Sequence, residues 1–437
     1  MPISAVPSPV AAGESAAMPR PFIWTNTEIS GQTIWRWLAV AYGLYWVCFI
    51  AGAYTDRQEL NNAGAVFILA ALGWAALERL RVKLDSVAIA CTAAALLPLL
   101  VALATHATRY PDAMVKHISL YVVMAISRIL VLPAISETRV RGIFATQIAI
   151  VLVLSFITDH GGVWDAGTRH SGLFANPNNL ALIPLLLLFL TRRSDPRWIQ
   201  FAAPAAVVAV LAITRTSGSI IACGVGLSVH LWSFLPRRSR PFAATLLGML
   251  GVVLAVFALF GGERLLPESR LTNQIAVMRA DLSSVLEGDQ ISLYHEERTL
   301  GPGTASGVWR LEHWRRIALA WFGGTAAQQL AGFGIGSSPD FFGKLPHNEY
   351  LRVLFEQGIV GFSLFLFAWT RLIRTAPKGV RYCGLILAIY SFSENNLDNF
   401  PFMSLFILFL SAGTTLTEHR RTKLSLVRAA VAGEDFA

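Results

Sequence analysis

The chain has 437 residues, of which 54% are hydrophobic and only 14% charged, and its formal net charge at pH 7 is +9. Soluble domains average about 45–50% apolar and about 25% charged residues, so this composition excludes an ordinary soluble enzyme, a disordered protein and a nucleic-acid-binding protein. The mean hydropathy of +0.53 indicates instead a protein that crosses a membrane several times.

Residues 1–30 are rich in Pro, Ala and Ser and lack the charged segment and short apolar run of a cleavable signal peptide, which predicts a flexible cytoplasmic tail. Apolar runs follow at residues 34–54, 62–79, 86–105, 113–135, 142–158, 174–190, 198–214, 217–235, 241–260, 350–370, 380–397 and 399–416. Each is close to the length of about 20 residues that crosses a bilayer. The sequence therefore predicts an all-α polytopic membrane protein with about 12 transmembrane helices, although the shortest runs could be tilted, broken or re-entrant.

The basic residues of the loops predict the orientation of these helices. Alternate loops and the C-terminal tail are rich in cations: Arg79, Arg81, Lys83, Arg139, Arg141, Arg192, Arg193, Arg197, Arg237, Arg238, Arg240, Arg371, Arg374, Lys378, Arg381, Arg420, Arg421, Lys423 and Arg428. Each short loop of the opposite parity carries at most one cation, namely Arg57, Arg109, Arg169 or Arg215. By the positive-inside rule, the basic loops and both termini are cytoplasmic. Much of the net charge therefore reflects orientation and not ligand binding.

The predicted organisation has five parts. They are an N-terminal tail (1–30), helices 1–9 (31–260), a large periplasmic loop (261–346), helices 10–12 (347–418) and a cytoplasmic tail (419–437). Within the loop, Leu311, Trp314, Ala318 and Trp321 form an apolar stripe, which predicts an amphipathic helix from residue 310 to 322. This helix either lies on the membrane surface or packs on the rest of the protein.

Several ionisable residues fall on the predicted periplasmic side, where groups at or within the bilayer are functional candidates. The cations are Arg169, Arg215, Arg310 and Lys116, and His347 follows the long loop. Each also has a structural interpretation, such as a snorkelling or lipid-binding Arg or a satisfied interfacial His. The residues Asn176, Pro177 and Asn178 open the sixth apolar run, where helix capping is the favoured interpretation. Glu394 and Asp398 either position a cation or an acceptor, or cap neighbouring helix ends.

At this point the sequence resembles the O-antigen ligase and polymerase superfamily. The motifs that carry the resemblance are Gly172-x-Phe174-x-Asn176-Pro177-Asn178, Arg310-x-x-x-Trp314, Gly334-x-Gly336, His347-Asn348-x-Tyr350-Leu351 and Glu356-x-Gly358-Ile359-x-Gly361. They occur in family order over residues 165–370. One departure is that Arg215 precedes Thr216-Ser217, where the family usually has a Ser-Arg pair.

The resemblance implies a GT-C-like integral membrane glycosyltransferase of the bacterial inner membrane, with a periplasmic active site. Its donor would be O-antigen on undecaprenyl diphosphate and its acceptor lipid A–core oligosaccharide. His347 would be the general base, and Arg215 and Arg310 would stabilise the diphosphate leaving group. Arg169, Lys116, Asn348 and Tyr350 would bind substrate. No cofactor, metal or nucleotide is expected, because a sugar on a lipid diphosphate is already activated.

Three activities of the superfamily remain open: ligase, O-antigen polymerase and protein O-oligosaccharyltransferase. Compact length and one large outer loop favour the ligase. A lipid-linked oligosaccharide transporter is the alternative from another class, and the absence of a convincing internal repeat in the sequence disfavours it. Membrane lipids are expected partners, nucleic acid is not, and the sequence leaves the oligomeric state open.

Overall fold

The computed structural model describes residues 31–78, 86–105, 111–130, 132, 135–158, 170–174, 176–191, 195–214, 216–234, 306–343, 345–377 and 380–412. These residues form helices and turns without any β-strand. Five of the helical segments are long and apolar enough to cross a membrane: Gly31–Thr55, Glu59–Leu77, Thr138–Ile157, Arg197–Thr214 and Glu349–Thr375. The protein is therefore an all-helical membrane protein, as the sequence predicts.

We number the described helices α1 to α15 in chain order. The first nine are α1 Gly31–Thr55, α2 Gln58–Glu78, α3 Ser86–Thr105, α4 Pro111–Leu130, α5 Thr138–Ile157, α6 Pro177–Leu180, α7 Leu185–Leu190, α8 Arg197–Thr214 and α9 Ser217–Phe234. The others are α10 Ser306–Phe322, α11 Ala326–Ala331, α12 Ser338–Phe342, α13 Glu349–Thr375, α14 Arg381–Tyr390 and α15 Phe400–Ser411, with a 3₁₀ helix at Asn396–Asp398.

The predicted spans within the described residues all contain helix, but the eleventh run, at 380–397, is α-helical only as α14 and continues as a turn and the 3₁₀ helix. The sixth run is broken into α6 and α7, one of the outcomes that the sequence left open. The tails at 1–30 and 419–437, the ninth run at 241–260 and the loop residues 261–305 lie outside the described residues. The number of membrane crossings, the boundaries of the five parts and the GT-C-like fold thus stay predictions.

The helix at the centre of the core is α15. Every one of its residues from Phe400 to Ser411 is buried, which is expected of a helix that is apolar on all sides. Phe409 contacts the rings of Trp35 on α1 and Phe144 on α5, with ring centroids 5.8 and 5.6 Å apart. Two buried hydrogen bonds between hydroxyl groups also connect α15 to its neighbours. Tyr42 donates to Ser404 over 2.9 Å, and the Ser127 hydroxyl lies 2.9 Å from that of Ser411. The core is thus an aromatic-rich bundle built around α15.

The helix α13 is kinked at Gly358, whose φ of 65° and ψ of −175° are not helical. A kink releases backbone carbonyls from the helical ladder, and these need other donors. The glycine-rich segment 332–336 supplies them: Phe333 N donates to Phe355 O over 2.9 Å, and Gly334 N donates to Glu356 O over 3.0 Å. The Phe333 ring also stacks on Phe355 with centroids 4.3 Å apart. The glycine motif predicted to lie near the site therefore caps a break in a membrane helix.

Replacing Gly358 by Ala is expected to destabilise the protein. A Cβ at this position would overlap Leu330 O, and the left-handed backbone of a non-glycine residue costs about 1–3 kcal/mol. The measurement is the midpoint of thermal unfolding in detergent. Gly142→Ala on α5 is the matched control, because a Cβ there meets no atom within 4 Å and alanine favours helix. A Gly358→Ala protein that melts with the Gly142→Ala protein would contradict the role of the kink.

The amphipathic helix predicted at residues 310–322 is present as α10, but its buried face differs from the predicted stripe. Glu312, His313 and Ile317 are its buried residues, whereas Leu319 is 55% and Phe322 69% exposed. The His313 ring packs against Phe342 on α12, with ring centroids 5.6 Å apart, and this contact buries that face of α10. The helix α10 thus packs against α13. Because Leu319 and Phe322 are exposed, a contact of α10 with the membrane surface stays a prediction.

Candidate active site

Three side chains that are far apart in the sequence meet around the carboxylate of Glu394. Arg310 on α10 donates from Nη2 to Glu394 Oε1 over 3.0 Å. His347, just before α13, donates from Nδ1 to Glu394 Oε2 over 3.1 Å. Asn178 on α6 donates from Nδ2 to Glu394 Oε1. Glu394 itself lies in the turn between α14 and the 3₁₀ helix, so the site joins four separate elements at one end of the bundle.

Glu394 is buried, with its side chain only 8% exposed. Burial alone would raise the pKa of its carboxyl group, but the hydrogen bond and charge of His347, the charge of Arg310 and the hydrogen bond from Asn178 together lower this pKa below its ordinary value of 4.5. Glu394 is therefore a carboxylate at neutral pH. It stabilises the fold above pH 4.5, and this contribution is lost as the pH falls through the lowered pKa.

The backbone of His347 lies in the left-handed region, with a φ of 50°. Such a conformation costs about 1–3 kcal/mol in a non-glycine residue and persists only where neighbouring contacts enforce it. Here Trp314 Nε1 donates to the carbonyl of Pro346 over 2.8 Å. On the other side, Asn348 Oδ1 accepts from Leu351 N over 3.1 Å and caps α13. The residues that flank His347 are thus held in place, and the imidazole ring is directed to Glu394.

The contact with Glu394 determines what the imidazole can do. A carboxylate only accepts hydrogen bonds, so Nδ1 carries the proton, and a neutral ring then has its lone pair on Nε2. The His347 side chain is 28% exposed, and its ring meets Trp309 edge to face with centroids 5.5 Å apart. A histidine whose Nδ1 is held by a buried carboxylate is arranged as a general base that acts through Nε2.

Arg310 places positive charge beside this base. Its side chain is 24% exposed and donates to Glu394, yet a guanidinium has five N–H donors in a planar fork. Such a fork binds phosphate oxygens well. The Arg310 and His347 side chains therefore approach the same carboxylate from two elements and bring a cation and a base together at a partly exposed surface.

The other predicted site residues lie as follows. Asn348 is buried, and its side-chain oxygen Oδ1 caps α13. The Tyr350 hydroxyl donates to Ala388 O over 2.7 Å. Lys116 is half-buried on α4, next to the fully buried His117. Arg169 and Arg215 lie outside the described residues. Their assignments to substrate binding and catalysis, like those of Asn348, Tyr350 and Lys116, stay predictions.

The surroundings of position 215 are nonetheless described. Gly218, in the first turn of α9, packs so closely on Ser393 that a Cβ on the glycine would overlap the serine side chain. Ser393 directly precedes Glu394 in the chain. The start of α9 therefore lies beside the turn that carries the carboxylate.

Sequence reasoning did not predict that Glu394 and Asn178 are the partners of His347 and Arg310. The capping interpretation of residues 176–178 is confirmed for Asn176, whose side chain accepts from Asn178 N. This cap uses the backbone N–H of Asn178, and the Asn178 side chain donates to Glu394. One usable signal was Glu394 itself, a carboxylate near the end of an apolar run in a sequence with only 14% charged residues. In the part of the chain that the structure describes, no group of three His, Cys, Asp or Glu side chains could hold a metal ion.

Part of the chain is similar to a known protein family. The family model Wzy_C, described as O-antigen ligase, matches residues 202–366. The match confirms the resemblance to the O-antigen ligase/polymerase superfamily, whose members are enzymes that act on lipid-linked polysaccharides. The matched segment contains Arg215, Arg310 and His347, whereas Asn178 and Glu394 lie outside it. No curated protein matches the chain.

Proposed function

We propose that the protein is an O-antigen ligase, which transfers a polysaccharide from undecaprenyl diphosphate to a hydroxyl group of lipid A–core oligosaccharide. The observation that carries the proposal is the contact of His347 Nδ1 and Arg310 Nη2 with one buried carboxylate, Glu394. This arrangement supplies a base and a cation side by side. Transfer from a lipid diphosphate needs both, because a hydroxyl must lose a proton while a diphosphate accumulates negative charge.

The reaction balances with these groups alone. The acceptor oxygen forms a bond to the anomeric carbon as the bond from that carbon to the diphosphate oxygen breaks. The electron pair of the broken bond leaves with undecaprenyl diphosphate, whose charge Arg310 stabilises, and the hydroxyl proton moves to Nε2 of His347. Glu394 then faces a protonated imidazole and stabilises it. Direct attack on the opposite face of the sugar inverts the anomeric configuration.

The membrane supplies both substrates in this proposal. The two lipids enter from the bilayer, and their polar parts meet the end of the bundle where α13 begins and α14 ends. The loop cations predict that this end faces the periplasm and that both termini are cytoplasmic, in the inner membrane. Arg215 is proposed as a second cation for the diphosphate, since the start of α9 packs beside the Glu394 turn. Arg169 and Lys116 are proposed as further contacts to the donor.

The experiment compares deletion cells with cells rescued by the wild-type protein, using a lipopolysaccharide gel and an extract of lipid-linked glycans. Loss of the long-chain ladder from lipid A–core in the deletion, with full-length polymer on the polyprenyl carrier, is the result expected of a ligase. A core bearing one repeat unit, without long polymer on the carrier, would identify the polymerase of the same superfamily instead. An unchanged ladder would reject both activities and direct the search to O-glycosylated proteins or to transport.

A further inference from the structure

A second group of charged side chains lies next to the candidate active site, and three of its four members are almost completely buried, whereas the Asp398 side chain is 30% exposed. Its centre is Arg352 on α13, whose side chain is 1% exposed. Arg352 donates from Nη1 to Asp398 Oδ2 over 2.7 Å and from Nε to Glu356 Oε1 over 3.2 Å, and its Nη1 lies 3.9 Å from Glu349 Oε1. Among the described residues, the hydrogen bonds of Arg352, Glu349, Glu356 and Asp398 do not include Glu394 or His347 as partners.

This group nevertheless joins the two segments that carry His347 and Glu394. Arg352 and Glu349 occupy the first turns of α13, directly after His347, and Asp398 ends the 3₁₀ helix that follows Glu394. Two further bonds connect the same segments: Leu397 N donates to Glu349 Oε2 over 3.0 Å, and Glu349 N donates to Ser391 O over 2.8 Å. The turn from residue 391 to 398 is therefore attached to α13 on both sides of Glu394.

We propose that Arg352 is a positioning residue for the transfer reaction, which through Asp398 and Glu349 fixes the Glu394 turn relative to His347. Arg352 itself does not touch substrate. The inference rests on the proposed function, because it concerns the geometry of the base. In this proposal, the contact between His347 Nδ1 and Glu394 Oε2 depends on the buried Arg352 guanidinium, which touches neither residue.

Energetics favour a positioning role over a purely stabilising one. Burying an ion pair carries a desolvation cost that often cancels its attraction, so apolar side chains of similar size would stabilise this region equally well. Catalytic groups, in contrast, must be held within about 0.5 Å of their productive geometry. The Glu394 turn has no long helix of its own to hold it, since α14 ends at Tyr390 and α15 begins at Phe400. A buried guanidinium that contacts three carboxylates at once supplies that rigidity.

The neighbouring helix α4 completes the group without replacing Arg352. His117 is fully buried, and its Nε2 lies 3.8 Å from Asp398 Oδ1. Tyr121, one turn further along, donates to Gln357 Oε1 over 3.2 Å. The Arg352 guanidinium is thus the one cation that contacts all three carboxylates of this group at 2.7 to 3.9 Å.

The test uses the full-length protein in nanodiscs, with a lipid-linked glycan donor and lipid A–core acceptor, and compares Arg352→Gln with Arg141→Gln. Arg141 is the matched control, since its buried ion pair with Asp195 spans 3.0 Å, with side chains 10% and 12% exposed, in another part of the bundle. For Arg352→Gln we expect kcat to fall about 10- to 100-fold with donor KM within about twofold of wild type, because a misplacement of about 1 Å costs up to about 100-fold in rate. For Arg141→Gln we expect wild-type kcat per folded protein, whatever its melting temperature.

A second variant keeps the inference testable if Arg352→Gln fails to fold. Asp398→Asn preserves the shape of the side chain, and we expect the same loss of kcat at unchanged KM. Equal kcat in the Arg352, Asp398 and Arg141 variants would overturn the positioning role, as would a loss confined to KM. Failure of the proposed function is a distinct result, because wild-type protein would then transfer no glycan to lipid A–core in the same assay.

Discussion

Replacing His347 by Asn is expected to abolish glycan transfer while the protein still folds. The reason is that asparagine tolerates the left-handed backbone that His347 adopts, with a φ of 50°, but has no group that accepts a proton at neutral pH. A positioned general base contributes about 100- to 10,000-fold to a reaction rate, so we expect the rate of transfer to fall by at least about 100-fold. Asparagine is a better choice than alanine, because alanine would also lose the side chain that makes this backbone tolerable.

The measurement has two parts, a lipopolysaccharide gel of rescued deletion cells and kcat of the purified protein. His347→Gly serves as the companion variant, because the relief of backbone strain by glycine offsets part of the cost of the lost hydrogen bond to Glu394, and we expect this variant to fold and to remain inactive. Two inactive variants that fold would assign the loss to the imidazole. Wild-type transfer by His347→Asn would remove the general-base assignment and leave Arg310 as the sole described candidate for the chemistry.

The membrane-helix pattern was predictable because hydropathy is local. A helix that crosses a bilayer needs about 20 apolar residues in a row, and such a run is visible without any knowledge of its neighbours. The runs at 34–54 and 142–158 accordingly coincide with α1 and α5. The helix that follows His347 was predictable for the same reason, since the apolar run at 350–370 is continuous in the sequence and lies within α13.

The composition of the site was not predictable in this way, because Glu394 reaches its partners through tertiary packing. It contacts residues 216, 84 and 47 positions away in the chain, namely Asn178, Arg310 and His347. No periodic pattern connects positions so far apart. The same limit applies to α10, where an apolar stripe predicted one buried face, whereas the packing of His313 against Phe342 on α12 buries another.

The kink in α13 shows how a motif can have a structural meaning that its letters do not reveal. The glycines at 332, 334 and 336 predict backbone freedom near the site. In the fold, the segment 332–336 binds the carbonyls that the kink exposes, and Ser338 Oγ donates to Glu356 Oε1 over 2.8 Å. The motif therefore attaches the segment 332–338 to α13, the helix that begins just after His347.

Replacing Glu394 by Gln is expected to reduce kcat by about 100- to 10,000-fold, a range set by what a carboxylate that orients a catalytic histidine contributes in hydrolases. The amide of glutamine presents a donor where Nδ1 of His347 now donates, which favours the tautomer that has its proton on Nε2. It also removes the negative charge that Arg310 and Asn178 contact. Both changes weaken the base without removing it.

Glu312→Gln is the matched control for this substitution. Glu312 is a buried carboxylate on α10 that pairs with Arg316 on the same helix, so the change removes one charge at similar burial without touching His347. We expect its kcat to stay within about twofold of wild type, because an ion pair between neighbouring turns of a helix contributes only about 0.3–0.5 kcal/mol. A loss equal to that of Glu394→Gln would mean that any missing carboxylate near α10 impairs the enzyme.

The double variant His347→Asn/Glu394→Gln separates an indirect role of Glu394 from a direct one. If Glu394 acts only by orienting the imidazole, its replacement should have no further effect once the imidazole is gone, because groups that act as a unit are non-additive. If Glu394 also binds the acceptor or acts through Arg310 on the diphosphate, the residual rate of His347→Asn should fall again in the double variant. The contact of Glu394 with Arg310 at 3.0 Å makes this second drop measurable as the share of leaving-group stabilisation that depends on the carboxylate.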